Sequence, residues 1–297
     1  MRNSLFLSFL LSSVPAAAAD IFPLPELPPV ASPLGKAIVR APAAPETAKP
    51  DVNNDGNDTH RLQLLTQGDR WTVPTSSGGI LLVVEKGYLN DAQLDRVAAD
   101  LQEASVEIPR LTGRPSLIRG RFTVYVYDRG PMSEADVPGA QPGEKGLMLR
   151  LIKEEKDPLF HEMTHLLAGY SKSQSMAEGI ADWVQDKLRP GRAHAFVPAN
   201  TNPHVIAKAA VARWSPDFLT TIGAPGFWFG LSGRAIRLDF YYCSWSFADF
   251  LLRQGDMKAF WSVADEGGKP EAYLKAYGRT YDDLIKAWLS EVNRSTP

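Results

Sequence analysis

Hydrophobic residues change their spacing about half-way along this chain. In the first half, a short apolar run predicts a β-strand at residues 79–85, and alternating apolar positions predict another at 121–127. Between them, residues 91–111 have apolar positions at helical spacing and predict an amphipathic helix. Asn90 directly precedes this segment and is a typical N-cap residue.

Residues 147–152 form another apolar run, which predicts a further strand. We expect it at the edge of the sheet, because glycines precede it and the charged residues 153–156 follow it. From Ser175 onward the pattern predicts only helices and loops. The sequence therefore predicts an α+β protein, with a mixed α/β half followed by a helical half.

A short motif with metal-binding chemistry lies near the centre of the chain. Residues 161–165 read His-Glu-Met-Thr-His. On an α-helix, residues four apart point in nearly the same direction, so His161 and His165 can bind one metal ion. Glu162 lies beside them and could take a proton from a water molecule that a zinc ion activates.

The residues around the motif predict that it lies on a helix. Asp157 is a good N-cap, Pro158 suits the first helical position, and Gly169 supplies a C-cap. Two histidines on an apolar helix face are also often ordinary packed residues. A catalytic tetrahedral metal site needs three protein ligands, so the metal hypothesis depends on a third one.

Two acidic residues downstream are candidates for completing the site. The extended pattern HExxHxxGxxH does not apply, because the chain has Ala168 and Ser171 where it requires Gly and His. Glu178 and Asp182 follow after a short turn and share one helix face, so Glu178 could bind the metal and Asp182 could orient an imidazole. Ser175 and Glu178 also have the spacing of a capping box, in which Glu178 would only bind a backbone N–H.

The two motifs together resemble a known family. HEMTH at 161–165 and EGIADWV at 178–184 are similar to the gluzincin metallopeptidases, especially to the basic secretory protein and peptidase-MA-like group. The resemblance covers residues 145–295 and implies a zincin-like fold, with an edge strand over the active-site helix and a helical C-terminal subdomain. It implies a zinc site with these residues: His161, His165 and Glu178 as ligands, Glu162 as general base, and Asp182 orienting a bound imidazole.

The resemblance also indicates a tyrosine that would stabilise the oxyanion. Tyr241 precedes Phe247 by six residues, as in such peptidases. Tyr242 is adjacent, and neighbouring helical residues point about 100° apart, so at most one of the two faces the site. The spacing selects Tyr241, with Tyr242 as the alternative. A structural role in the core is common for either tyrosine.

Composition limits the partners that we expect. The net charge of −2 gives no electrostatic reason to expect nucleic acid or an anionic membrane as a partner, and it departs from the basic character of the similar group. Cys243 is the only cysteine, so an internal disulfide is impossible and we expect a buried thiol.

The N-terminus predicts export. Arg2, an apolar run and a series of alanines are typical of a signal peptide at residues 1–19, and no apolar segment is long enough for a transmembrane helix. We expect a periplasmic or extracellular protein with the following organisation: a Pro/Ala-rich leader and polar linker at 20–65, an N-terminal subdomain at 66–170, and a C-terminal subdomain at 171–297.

These features lead to one main functional hypothesis and two alternatives. The main hypothesis is an exported zinc metallopeptidase that hydrolyses peptide bonds in a peptide or protein substrate. One alternative is a binding module that keeps the fold with weak or no catalysis, although Glu162 would then have no use. The other is a zinc amidase that acts on cell-wall material. Sequence alone does not separate peptide bonds from other amides.

Overall fold

The computed structural model describes six stretches of the chain: residues 39–40, 56–75, 78–129, 133–194, 197–214 and 234–296. They belong to one compact unit, so the segments 66–170 and 171–297 are parts of one body. The predicted signal peptide and most of the predicted leader lie outside the described residues.

A mixed sheet forms the first half of the fold. Its strands are β1 (Val39–Arg40), β2 (Asp69–Val73), β3 (Ile80–Val84), β4 (Phe122–Val126), β5 (Glu134–Pro138) and β6 (Lys145–Leu149). The order across the sheet is β1-β2-β3-β4-β6-β5. The central strands β3, β4 and β6 are parallel. The other pairs are antiparallel: β2 with β3, β1 with β2, and β5 with β6.

Helices cover the sheet and make up the second half of the described chain. They are α1 (Gly56–Gln67), α2 (Asp91–Thr112), α3 (Leu159–Ala168), α4 (Gln174–Leu188), α5 (Pro203–Val211), α6 (Arg234–Gln254), α7 (Met257–Asp265), α8 (Pro270–Tyr277) and α9 (Tyr281–Arg294). The α+β class is therefore confirmed. Within the described residues, none of these helices is long and apolar enough to cross a membrane.

The first two predicted strands and the helix between them are confirmed. β3, β4 and α2 differ from the predicted ranges by at most one residue at each end. Asn90 caps α2 in a full capping box with Gln93, which satisfies two backbone N–H groups at the start of the helix. Cys243 is a buried free thiol, as expected.

The predicted edge position of the last strand is wrong. β6 covers Lys145–Leu149 rather than 147–152, and it pairs with β4 on one side and β5 on the other. A Cβ atom on Gly146 would lie 3.1 Å from the Pro138 carbonyl oxygen and 3.2 Å from that of Thr123, on either side of it. Glycine here permits close neighbours on both sides. The edge strand is β5, which packs beside α3.

Part of the predicted linker is ordered structure. Residues 56–65 lie in α1, which leads through Gly68 into β2. Leu64 and Leu65 are buried against the face of the sheet that carries Leu81 and Val83. The opposite face of the sheet packs on α2 and α3 in the main core, so helices protect both faces of the central strands.

Close contact between α4 and α6 fixes the second half of the fold. A Cβ atom on Gly179 would lie 2.3 Å from the Ser244 carbonyl oxygen and 2.9 Å from the Ala248 Cβ. Any side chain at this position would therefore push the two helices apart. Gly179 lies between Glu178 and Asp182, so the approach of α6 also determines where these two acids lie.

We predict that Gly179→Ala destabilises the protein by about 1–3 kcal/mol, the usual cost of overpacking. Helix propensity alone would predict the opposite sign, a gain of about 1 kcal/mol. Urea denaturation of the metal-free protein, followed by circular dichroism, measures the difference. A gain in the free energy of unfolding would mean that this close contact does not constrain the two helices.

Candidate metal centre

The helix α3 presents the His-Glu-Met-Thr-His motif inside the protein. All ten residues of α3 are buried. Its N-cap is Pro158, one residue later than predicted, and Pro158 makes no side-chain cap bond. Gly169 is the C-cap, as predicted, and its N–H donates to the His165 carbonyl oxygen at 3.1 Å.

The second motif lies on α4, which packs against α3. The N-cap of α4 is Ser173, so Ser175 lies inside the helix and does not form a capping box with Glu178. Glu178 is only 6% exposed and points toward the histidines of α3, and one of its oxygens accepts a hydrogen bond from the Gln174 side chain. Of the two interpretations of Glu178, the structure favours the ligand over the cap.

Three donor atoms converge between the two helices. His161 Nε2 lies 3.1 Å from Glu178 Oε2 and 3.1 Å from His165 Nε2. His165 Nε2 lies 3.4 Å from Glu178 Oε2. All three residues are buried, and they are close enough to bind one metal ion.

The shape of this triangle agrees with tetrahedral coordination. Metal–donor bonds of about 2.0–2.1 Å at tetrahedral angles separate neighbouring donors by roughly 3.3 Å. A metal ion about 2.0–2.1 Å from all three donor atoms would lie roughly 0.9 Å out of the plane of those atoms. In a regular tetrahedron, the ion lies roughly 0.7 Å out of the plane of three donors. The three side chains therefore fit one ion with a fourth position open.

His161 is bound at three points by one face of α4. Asp182 Oδ1 lies 2.7 Å from His161 Nδ1 and leaves Nε2 for a metal. The His161 backbone N–H donates to Gln185 Oε1 at 3.0 Å. This N–H is one of the unpaired donors at the start of a helix, so Gln185 does part of what a capping side chain would do. Glu178, Asp182 and Gln185 thus fix both the ring and the backbone of His161.

The charges of the cluster are strongly coupled. Burial alone would lower the pKa of His161, but Asp182 and Glu178 outweigh burial and raise that pKa well above its usual value. Burial would raise the pKa of Glu178, but His165 and His161 outweigh it and lower that pKa far below its usual range. The metal-free site therefore holds an ionised Glu178 beside a protonated His161.

Glu162 lies next to the donor triangle without being part of it. Its side chain is buried, and this burial raises the pKa of the carboxyl group. The two histidines lower that pKa and repulsion from Glu178 and Glu134 raises it, so that the net shift is upward. A raised pKa brings a carboxylate closer to neutral pH, where a general base is most effective. The position and the electrostatics both suit proton transfer.

The structure distinguishes the two adjacent tyrosines on α6. The Tyr241 ring lies 6.3 Å from the His161 ring, centroid to centroid. Burial raises the pKa of Tyr241, and the nearby charges of Glu178, Asp182 and Glu162 add to this effect. Burial also raises the pKa of Tyr242, but the strongest charges there are those of Asp239 and Arg213, with a smaller effect of Asp182. Tyr241 is thus the tyrosine on the side of the metal site.

Two further residues belong to the site and were not predicted. Tyr170 stacks on His165 with ring centroids 4.4 Å apart and an interplanar angle of 8°, and it is partly exposed. His194 is buried behind Asp182, with Nε2 3.7 Å from Asp182 Oδ1. Tyr170 directly follows Gly169, the C-cap of α3. Its place in the sequence therefore allowed a contact with the last turn of α3 to be predicted. His194 is an isolated histidine with no spacing signal.

Comparison with known proteins does not extend this picture. The sequence matches no protein-family model and has no significant match among curated proteins. The functional argument therefore depends on the two motifs and on the geometry of the site.

We predict that metal binding releases a proton and becomes stronger as pH rises. The pKa of His161 is raised, so at neutral pH a cation must displace a proton from this ring. The apparent Kd for zinc should fall about tenfold for each pH unit between about pH 6 and 7. Zinc titrations in weakly buffered solutions with a pH indicator measure both effects.

Asp182→Asn is the control for this prediction. It removes the carboxylate that contributes most to raising the pKa of His161, so fewer protons should be released when zinc binds. Binding without proton release in the unmodified protein would contradict the charge state described above.

Proposed function

We propose that this protein is a zinc-dependent metallopeptidase of the gluzincin type, which hydrolyses peptide bonds. The observation that carries the proposal is the buried triangle of His161 Nε2, His165 Nε2 and Glu178 Oε2, with Glu162 beside it. Two imidazole nitrogens and one carboxylate oxygen with an open fourth position are typical of catalytic zinc rather than structural zinc.

The donor set also supports zinc over other common ions. Calcium and magnesium prefer six or more oxygen donors, and this site has two nitrogens and one oxygen. When bound, zinc would lower the pKa of an attacking water to about 7 and polarise the scissile carbonyl. The remaining chemistry then falls to the side chains around the triangle.

Glu162 has the properties required of the general base. Its buried carboxylate, with a pKa raised toward neutrality, would accept the proton of the attacking water. The same group would then pass that proton to the leaving amine. Because Glu162 is not one of the three donors, this transfer leaves the metal ligands unchanged.

Tyr241 would stabilise the oxyanion that forms during attack. Burial, and after it the nearby carboxylates of Glu178, Asp182 and Glu162, raise the pKa of Tyr241, so its phenol can donate a hydrogen bond at any pH near neutrality. A donor in a buried site stabilises a developing negative charge more than it would in water.

The edge strand β5 is the expected binding place for the substrate main chain. Within the described part of the sheet, β5 pairs only with β6, and it lies beside α3. An extended peptide could add to such an edge by main-chain hydrogen bonds. The substrate would be a peptide or protein outside the cytoplasm, if residues 1–19 act as a signal peptide.

We predict that Glu162→Gln keeps its zinc but loses turnover by about 10²–10⁴-fold, because the proton acceptor is gone while the three ligands stay. Glu178→Ala should instead lose most of its zinc. Elemental analysis and cleavage of an unbiased peptide mixture measure the two effects. Glu271→Gln, at an exposed position of α8, is the matched control and should behave like the unmodified protein.

Three results would contradict this assignment. Equal turnover for Glu162→Gln would exclude this site as the catalytic centre. Zinc binding without peptide cleavage in the unmodified protein would favour a binding module. Cleavage of a cell-wall amide, but of no peptide, would identify an amidase.

We predict that Tyr241→Phe lowers kcat by roughly 10²–10³-fold with unchanged zinc content, since one oxyanion donor is removed. Tyr242→Phe is the matched control, because it removes the adjacent hydroxyl, on which the charges of Asp239 and Arg213 act more strongly than that of Asp182, and kcat should stay close to normal. Steady-state kinetics on a cleaved peptide give both values. The reverse order of effects would exchange the roles of the two tyrosines.

A further inference from the structure

The carboxylate that orients His161 is only partly satisfied by hydrogen bonds among the described residues. Asp182 is fully buried, and its Oδ1 lies 2.7 Å from His161 Nδ1. Its Oδ2 has no hydrogen-bond partner within the described residues. A buried carboxylate usually needs several donors to offset the loss of water. One more donor is therefore expected close to Asp182.

His194 lies beside both Asp182 and His161, and its ring centroid is 6.3 Å from that of the His161 ring. Its backbone forms an isolated β-bridge with Val197. The His194 nitrogen lies 3.0 Å from the Val197 oxygen, and the Val197 nitrogen lies 2.9 Å from the His194 oxygen. The side chain is buried, and neither ring nitrogen has a hydrogen-bond partner in the part of the chain that is described. His194 Nε2 lies 3.7 Å from Asp182 Oδ1. The unsatisfied ring nitrogens of His194 thus lie next to a carboxylate whose Oδ1 bonds to His161 and whose Oδ2 has no partner among the described residues.

We propose that His194 is a positioning residue that donates its Nε2–H to Asp182, so that a buried chain of three residues, His194, Asp182 and His161, fixes the metal-binding imidazole. The 3.7 Å separation exceeds a normal hydrogen bond, and a shift of roughly 0.5–1 Å by the ring or the carboxylate closes it. A neutral imidazole carries one N–H and can place it on Nε2.

Histidine suits this position because it can donate without a charge. Burial lowers the pKa of His194 to about 4 against the attraction of Asp182, so the ring is neutral at neutral pH. A lysine or arginine here would also donate to Asp182, but its positive charge would oppose a divalent cation at the neighbouring triangle. A neutral donor adds no such repulsion.

The proposal rests on the metal site of the proposed function but not on peptide hydrolysis. Its test therefore measures zinc affinity alone, by competition with a chelator of known affinity. His194→Phe removes both ring nitrogens and keeps an aromatic ring at the position. His194→Gln keeps an N–H near the position of Nε2. Circular dichroism and urea denaturation check that each variant folds.

We expect His194→Phe to raise the Kd for zinc about tenfold, the lower end of the effect of groups that support metal ligands. His194→Gln should lie closer to the unmodified protein. In an Asp182→Ala background, His194→Phe should have no further effect, because the residue through which it acts is absent. Val197→Ala shortens a buried side chain beside the same bridge but keeps the backbone hydrogen bonds of the bridge and both ring nitrogens of His194, so its Kd should stay near normal.

Three results would overturn the proposal: an unchanged Kd for His194→Phe, equal effects of this substitution with and without Asp182, or an equal loss for Val197→Ala. If His194→Phe does not fold, His194→Asn replaces it in the same comparison, since its amide is too short to reach Asp182. An unmodified protein that binds no zinc would overturn both the metal site and this proposal. Zinc binding without peptidase activity would overturn only the proposed function.

Discussion

Four ionisable side chains are removed from water between α3 and α4, and each is stable there because the others bond to it or neutralise it. An isolated buried charge would cost several kcal/mol, whereas His161, His165, Glu178 and Asp182 lie within hydrogen-bond distance of at least one other member. This requirement determines how closely the two helices pack. The absence of a side chain at Gly179 then allows α6 to approach from behind.

The two histidines of the motif are held in different ways. His161 has a carboxylate on Nδ1 and a glutamine on its backbone N–H. The Nδ1 atom of His165 is buried without a hydrogen-bond partner among the described residues, but the Tyr170 ring stacks on it almost parallel. A hydrogen bond fixes both the orientation and the protonated nitrogen of a ring, whereas stacking fixes only its plane. His161 is therefore the more rigidly defined ligand.

Local signals in the sequence were enough to predict much of the fold and most of the candidate site. β3 is a continuous apolar run, β4 and α2 have apolar periods, and α2 also has its capping box. The spacing within α3 and α4 placed the three donor residues and Asp182 on helix faces that do meet. Such predictions succeed because helix geometry alone determines which side chains share a face.

The features that sequence missed depend on contacts between distant segments. β5 contains two acids and a proline, which disfavour a strand, and it forms because β6 is available for pairing. The glycine of β6 suggested an edge, although its actual neighbours are two other strands. His194 gains its position from a bridge beyond the end of α4. Pairing of this kind leaves no period in the local sequence.

The face of α4 that contacts His161 explains why the site can exist before a metal arrives. Glu178, Asp182 and Gln185 lie at successive turns of one helix, and each makes a different contact with the same residue of α3. Three contacts to one residue fix both the rotation and the axial position of α3 relative to α4. A cation then replaces a proton in a site whose side chains already point inward. A cation that binds there would cost little conformational entropy, and this preorganisation would favour metal affinity.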